Sequence, residues 1–132
     1  MAVQRKISFV GTPDSNPENK PHFDAANEGK LLIQRCKDTG KFYWYPRAVS
    51  PFTLSTNVEW VEASGKGKIY SVSVMERSNP PFAMAYVTLE EGTTMMTNIV
   101  DCDFGTLKIG QDVKVVFLAS EEGQKVPMFT PA

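Results

Sequence analysis

The stretch 59-EWVEASGKGKIYSVSVMER-77 decides the architecture. Tyr70, Val72 and Val74 alternate with Ser71, Ser73 and Met75, the period of a strand with one covered face. Gly65 and Gly67 interrupt what reads as one long strand from Glu59. Glycine inside a strand marks a sharp bend or a close approach of backbone, and a sheet that coils into a small barrel needs such a bend. Downstream, 82-FAMAYVTLEEG-92 places Ala83, Ala85, Val87 and Leu89 on one side and Phe82, Met84, Tyr86 and Thr88 on the other. Glu91-Gly92 is a hairpin signal, and 93-TTMMTNIVD-101 is the returning strand. In 107-LKIGQDVKVVFLAS-120 a Gly-centred turn leads into a strand that points Val113, Val115 and Phe117 one way; 125-KVPMFTP-131 is a last short strand closed by proline. Five strands in about seventy residues, with no second strong helix, suit a small Greek-key barrel. A sandwich asks for more strands. No internal repeat or low-complexity tract is visible.

Upstream of Glu59 the texture differs. Residues 11–21, GTPDSNPENKP, hold three prolines and a glycine and read as a linker or extended arm. The next residues, 22-HFDAANEG-29, predict a helix that starts near Pro21, ends at Gly29 and carries an apolar edge of Phe23, Ala25 and Ala26. So short a helix needs a surface to dock on. Then 30-KLLIQRC-36 reads as a strand, with Leu31 and Ile33 on one face and Leu32 and Gln34 on the other. The division is an arm over 1–20, a helix and a following segment over 21–58, and the barrel over 59–132.

Composition bounds the function. In 132 residues, 42% hydrophobic and 22% charged, one core can form. Fourteen basic and fifteen acidic residues leave a net charge of -1 with no Lys/Arg cluster, which argues against nucleic acid. No apolar run approaches the roughly 18 residues of a membrane span, and MAVQRKISFV lacks a signal-peptide pattern, so the expected compartment is the cytoplasm, with no membrane partner. Cys36 and Cys102 then read as free thiols. No catalytic constellation stands out. His22, the sole histidine, has no local Ser or Cys partner and reads as a surface or capping residue. Cys36 has no base beside it, and Cys102 lies between Asp101 and Asp103, which disfavour a thiolate. Asp24, Glu28, Glu59, Glu62, Glu90 and Glu91 form no singled-out pair. The segment 64-SGKGK-68 lacks the P-loop pattern and reads as a strand bend with solvated lysines, or as a phosphate contact.

Taken in order, the pieces resemble the acyl-CoA-associated OB-fold proteins that carry a rubredoxin-like zinc ribbon. They are the short helix leading into EGKLLIQRC, then YPR at 45–47, WVEASGKGKIYSVSV, PPFAMAYVTLEEG, LKIGQDVKVVF and the terminal PMFTP. The match runs from Pro21 to Pro131; order and spacing carry it, not any single piece. The resemblance implies a mainly β protein, a five-stranded OB-fold barrel preceded by a short N-terminal helix and a zinc-ribbon-like segment of two knuckles. It also implies a non-catalytic accessory subunit, one that docks on a thiolase-like or related acyl-CoA-processing enzyme and helps to hold the CoA thioester. Lys66 and Lys68 are then the candidate contacts for a CoA phosphate. A stand-alone acyl-CoA-binding protein is the alternative. A single-stranded nucleic-acid-binding OB protein is a second, disfavoured by the charge balance. Self-association is left open.

At the positions where the family's ribbon holds its metal, this sequence supplies Cys36, Thr39, Ser50 and Thr53. Zinc prefers a closed tetrahedron of thiolate and imidazole donors, and neutral hydroxyls are poor substitutes. The expectation is a degenerate ribbon without zinc, no resident cofactor, and acyl-CoA as the candidate ligand. Structural zinc contributes on the order of 10 kcal/mol to a small knuckle, so something must replace it. Phe42, Tyr43, Trp44 and Tyr45 are available, since an aromatic ring buries roughly 150–250 Å². Hydroxyl–backbone turns at residues 39, 50 and 53 are a second source. The same aromatic run, together with Arg47, has the composition of an interface hot spot. Alternation would place Tyr43 and Tyr45 on one face and Phe42 and Trp44 on the other. Ribbon core and partner interface stand as parallel readings.

Overall fold

The computed structural model describes residue 7 and residues 17–132. The arm expected over 1–20 falls for the most part outside the described residues. The described chain runs α1 (Lys20–Asn27), β1 (Leu32–Cys36), β2 (Phe42–Tyr43), β3 (Val58–Glu62), β4 (Lys66–Met75), β5 (Phe82–Leu89), β6 (Thr94–Ile99), one turn of 3-10 helix (Phe104–Thr106), β7 (Asp112–Ala119) and β8 (Lys125–Pro131). No helix among them is long and apolar enough to cross a membrane.

The barrel is closed in the order β4-β5-β6-β8-β7, and β7 returns to β4. Its strands pair antiparallel except β6 and β8, which meet in parallel at Ile99 and Phe129. This is the five-stranded Greek-key barrel expected of an OB fold. The two-residue period builds its interior: Ala83, Ala85, Val87 and Leu89 of β5 all point inward and are buried. They meet Ile69, Met95, Ile99, Val113 and the fully covered Phe129. Val115 and Phe117 pack against this core from the same face as Val113.

β4 departs from the expected alternation. A bulge lies between Ile69, opposite Val87, and Ser71, opposite Tyr86. The extra residue moves the inward face from odd to even positions, so Val72 and Val74 pack on the core while Tyr70 is 68% exposed. The single long strand expected from Glu59 is in fact two strands in two sheets. β3 pairs with β1 from Leu32–Glu62 to Cys36–Val58, and β2 completes a three-stranded sheet on the other side of β1. Gly65, at φ +81°, turns the chain out of that sheet into the barrel. At Gly67 a Cβ would stand 2.7 Å from the Thr88 carbonyl oxygen, so only glycine lets β4 lie this close to β5.

α1 has Pro21 in its first turn, and Gly29, at φ +78°, follows its end. It docks on the last strand and on β1, burying His22, Ala25 and Ala26. Asn27 Oδ1 accepts from the Lys125 N–H at 2.9 Å, and Gln124 Nε2 donates to the Phe23 carbonyl at 3.0 Å. Phe23 is only half-buried, and the core position beside Ala26 goes to His22. The reading of His22 as a surface or capping residue is therefore corrected. A buried imidazole needs a partner, and the Leu32 carbonyl supplies one at 3.1 Å from Nδ1.

Candidate functional site

The ribbon is built from two turns of the same form. In the first, the Gly40 N–H donates to the Cys36 carbonyl at 2.7 Å; in the second, the Leu54 N–H donates to the Ser50 carbonyl at 2.9 Å. Each turn ends on a left-handed residue, Gly40 at φ +74° and Leu54 at φ +60°. Cys36 and Ser50, which open the turns, are both fully buried. The turns face each other, so the four positions Cys36, Thr39, Ser50 and Thr53 come together.

Hydrogen bonds fill the space between them. Cys36 Sγ lies 3.9 Å from Thr53 Oγ1. The Ser50 hydroxyl, followed by that of Thr39 and the backbone N–H groups of Thr39 and Asp38, favours the thiolate. Against the opposing effect of burial, these bring the Cys36 pKa down to about 7. Ser50 Oγ in turn accepts from the N–H groups of Phe52, at 3.1 Å, and Thr53, at 3.3 Å. The Thr53 hydroxyl donates to Asp38 Oδ2 at 3.1 Å, and Asn57 Nδ2 donates to Asp38 Oδ1 at 2.9 Å. These two donors, Asn57 first, hold the Asp38 carboxyl below its ordinary range. One thiol and three hydroxyls do not make a zinc donor set. Among the described residues no three of His, Cys, Asp and Glu converge to hold a metal ion. His22 is engaged elsewhere, edge-on to Trp44 at 4.7 Å and Phe23 at 5.0 Å, and burial pushes its pKa down. Cys102 lies in the barrel region, where burial and then Asp103 and Asp101 push its thiol pKa up.

The aromatic run divides by burial. Tyr43 is 6% exposed, with its hydroxyl donating to the Arg47 carbonyl at 3.1 Å. Phe42 and Trp44 pack on the core. Tyr45 is 57% exposed and Arg47 faces solvent, so Tyr43 and Tyr45 do not share an environment as alternation suggests. The reason is a clamp that turns the chain after Tyr45. The buried Gln34 amide donates to the Arg47 carbonyl at 2.8 Å and accepts from the Arg47 N–H at 2.7 Å. Sequence reasoning missed the exposed apolar tip of the second turn: Val49, Pro51, Phe52 and Leu54, the last 81% exposed. The one signal was a leucine standing where the first turn has glycine.

Lys66 and Lys68 come together on the barrel. They line a groove of about 480 Å³ with Thr88, Glu90 and Asp112. Lys68 Nζ pairs with Asp112 Oδ1 at 2.6 Å, whereas Lys66 lies directly opposite Lys114 on β7. Like charges in register repel.

Comparison with known proteins finds family models, relatives and solved structures that match. Residues 60–118 match the model of the ChsH2 C-terminal OB-fold domain, and residues 23–50 match the ChsH2 rubredoxin-like zinc ribbon domain. A probable enoyl-CoA hydratase alpha subunit of Thermomonospora curvata is 34% identical over 98% of this chain, which spans 42% of that protein's length. A DUF35 domain-containing scaffold protein of Methanocaldococcus jannaschii is 35% identical over 70% of each chain. A chain of a solved Ltp2-ChsH2(DUF35) aldolase superposes with a TM-score of 0.78 at 31% identity, covering 88% of this chain and 95% of that one.

Proposed function

Because this chain belongs to the family of DUF35 domain-containing scaffold proteins, we propose that it is a non-catalytic accessory subunit of an acyl-CoA-processing enzyme, thiolase-like or hydratase-like. The observation that carries the reading is the ribbon-plus-barrel fold shared with nearly the whole of one chain of the Ltp2-ChsH2(DUF35) aldolase. The names of the relatives, a hydratase subunit, an aldolase and a scaffold, put the same fold beside several acyl-transforming chemistries. That pattern supports a part that docks rather than one that makes bonds.

The docking surface we assign is the ribbon's outward side. Tyr45 and Arg47 of the aromatic run present themselves there, and Val49, Phe52 and Leu54 extend the surface with apolar groups that a lone chain leaves in water. Phe42, Tyr43 and Trp44 set its shape from beneath. The groove at Lys66 and Lys68 supports a second element of the reading, contact with the phosphates of CoA. It also favours the rival, a stand-alone acyl-CoA-binding protein. No resident metal is part of either reading.

Three measurements separate them. A tagged copy expressed in the native host should bring down an acyl-CoA enzyme with defined stoichiometry, and Leu54→Asp with Phe52→Asp should abolish that capture. The pure chain should turn over no acyl-CoA. Calorimetry with a CoA thioester should give binding to the complex and little to the pure chain. Turnover by the pure chain would overturn the proposal; tight CoA binding without a partner would hand it to the rival.

A further inference from the structure

We infer that the cradle of Cys36, Thr39, Ser50 and Thr53 is a metal-free lock, in which a hydrogen-bonded network ties the two turns together while the backbone keeps the dimensions of a metal site. Two observations carry this, and neither depends on the function proposed above.

The first is the geometry of the turns. Each spans the same number of residues, closes with the same N–H to carbonyl bond and ends left-handed. One pair of corner atoms has the spacing of two ligands on one ion: Cys36 Sγ and Thr53 Oγ1, one from each turn, are 3.9 Å apart. Four sulfurs at about 2.3 Å from a central zinc form a tetrahedron whose edge is about 3.8 Å. Along that edge the cradle has the metal's size without the metal's donors.

The second is what links the turns. Asp38, inside the first turn, accepts the Thr53 hydroxyl of the second and the Asn57 amide beyond it. The Lys37 N–H donates to the Asn57 carbonyl at 3.0 Å. Ser50 Oγ gathers the N–H groups of Phe52 and Thr53 at the place where a thiolate sulfur would sit. Thr39 Oγ1 accepts from the Lys41 N–H at 3.2 Å. Each corner is thus satisfied by neighbours, and an entering cation would have to displace bonds already made to gain three neutral hydroxyl donors.

The test uses the full chain. Purified without chelator, it should hold well under about one-tenth zinc per chain by elemental analysis, and EDTA should leave its thermal midpoint unchanged. Asp38→Ala should lower that midpoint by roughly 5 °C. The triple variant Thr39→Cys, Ser50→Cys, Thr53→Cys should take up about one Co²⁺ and develop the absorption of tetrahedral thiolate cobalt; loaded with metal, it should become insensitive to Asp38→Ala. About one zinc per wild-type chain, with a midpoint that falls in EDTA, would overturn the inference. So would a folded triple variant that ignores metal, or one that stays unfolded with Zn²⁺ present, since either shows that the cradle lacks the dimensions claimed. An unchanged midpoint in Asp38→Ala would remove the network from the account.

Discussion

The barrel and the ribbon are held by different forces. In the barrel, inward apolar side chains from every strand share one core with Phe129, and side-chain polar contacts such as Lys68–Asp112 and Thr88–Thr94 only supplement the backbone ladders. In the ribbon, β2 has two residues, the loop from β2 to β3 is longer than any of its strands, and Gln34, Ser50 and Asp38 tie loop backbone and side chains by named hydrogen bonds. Apolar burial is non-directional and tolerates substitutions that keep volume. Side-chain hydrogen bonds are directional, and a buried donor left without its acceptor costs its desolvation. The ribbon should therefore fail at single atoms, the barrel at single volumes.

The largest effect expected is in the barrel. Phe129→Ala removes the biggest fully buried side chain where β6, β7 and β8 meet, and should cost about 3–5 kcal/mol in urea unfolding. Phe129→Leu keeps most of the volume and should cost far less. Equal losses for the two would contradict a volume-governed core.

The ribbon's counterpart is Gln34→Ala. It strips both hydrogen bonds from the Arg47 backbone and should cost about 1–3 kcal/mol. Here the nearly isosteric Gln34→Glu should fail too, since a carboxylate cannot donate to the Arg47 carbonyl. Rescue by Glu would break the comparison.

What the sequence made legible follows the same divide. The inward face of β5 and the hairpin at Glu91-Gly92 could be read because a two-residue period and a turn signal are local facts. Tyr70 was misplaced because a bulge of one residue leaves no mark on composition. His22 was misplaced because its burial depends on the Leu32 carbonyl and Trp44, contacts made only once α1 has docked. The four ribbon positions were readable as residue types. That Asp38 and Asn57 join them was not, since neither falls at a ligand position.

A smaller effect comes from pH. Burial lowers the His22 pKa below its ordinary 6.5, with the Leu32 carbonyl only partly opposing. Below that value the unfolded chain takes up the proton more readily than the folded one, so the His22 contribution should be flat above it and decline as pH falls beneath it. The ribbon's own groups titrate outside that window: Asp38 at the acid end, and the Cys36 thiol, brought down to about 7, which adds stability only as pH rises above about 7. Unfolding by urea at about pH 6.5 and about pH 5, both below the Cys36 titration, should show the decline in wild type and its loss in His22→Gln. A slope that survives in His22→Gln would assign the decline to another group.

The smallest effect has the opposite sign. Leu54 holds φ +60° while 81% exposed, so it carries left-handed strain and contributes almost no burial. The left-handed conformation costs a side chain about 1–2 kcal/mol, and glycine's freedom in the unfolded chain returns roughly 0.5–1 of it. Leu54→Gly should therefore stabilise the isolated chain by about 0.5 kcal/mol. A strained, water-facing leucine at the tip of a turn makes physical sense if its side chain is covered by something other than this chain. The variant that unfolds later should also bind the proposed acyl-CoA enzyme partner more weakly. Denaturant midpoints and capture of the partner, measured on one preparation, separate the two: a gain in stability with undiminished capture would leave the strain at Leu54 without a use.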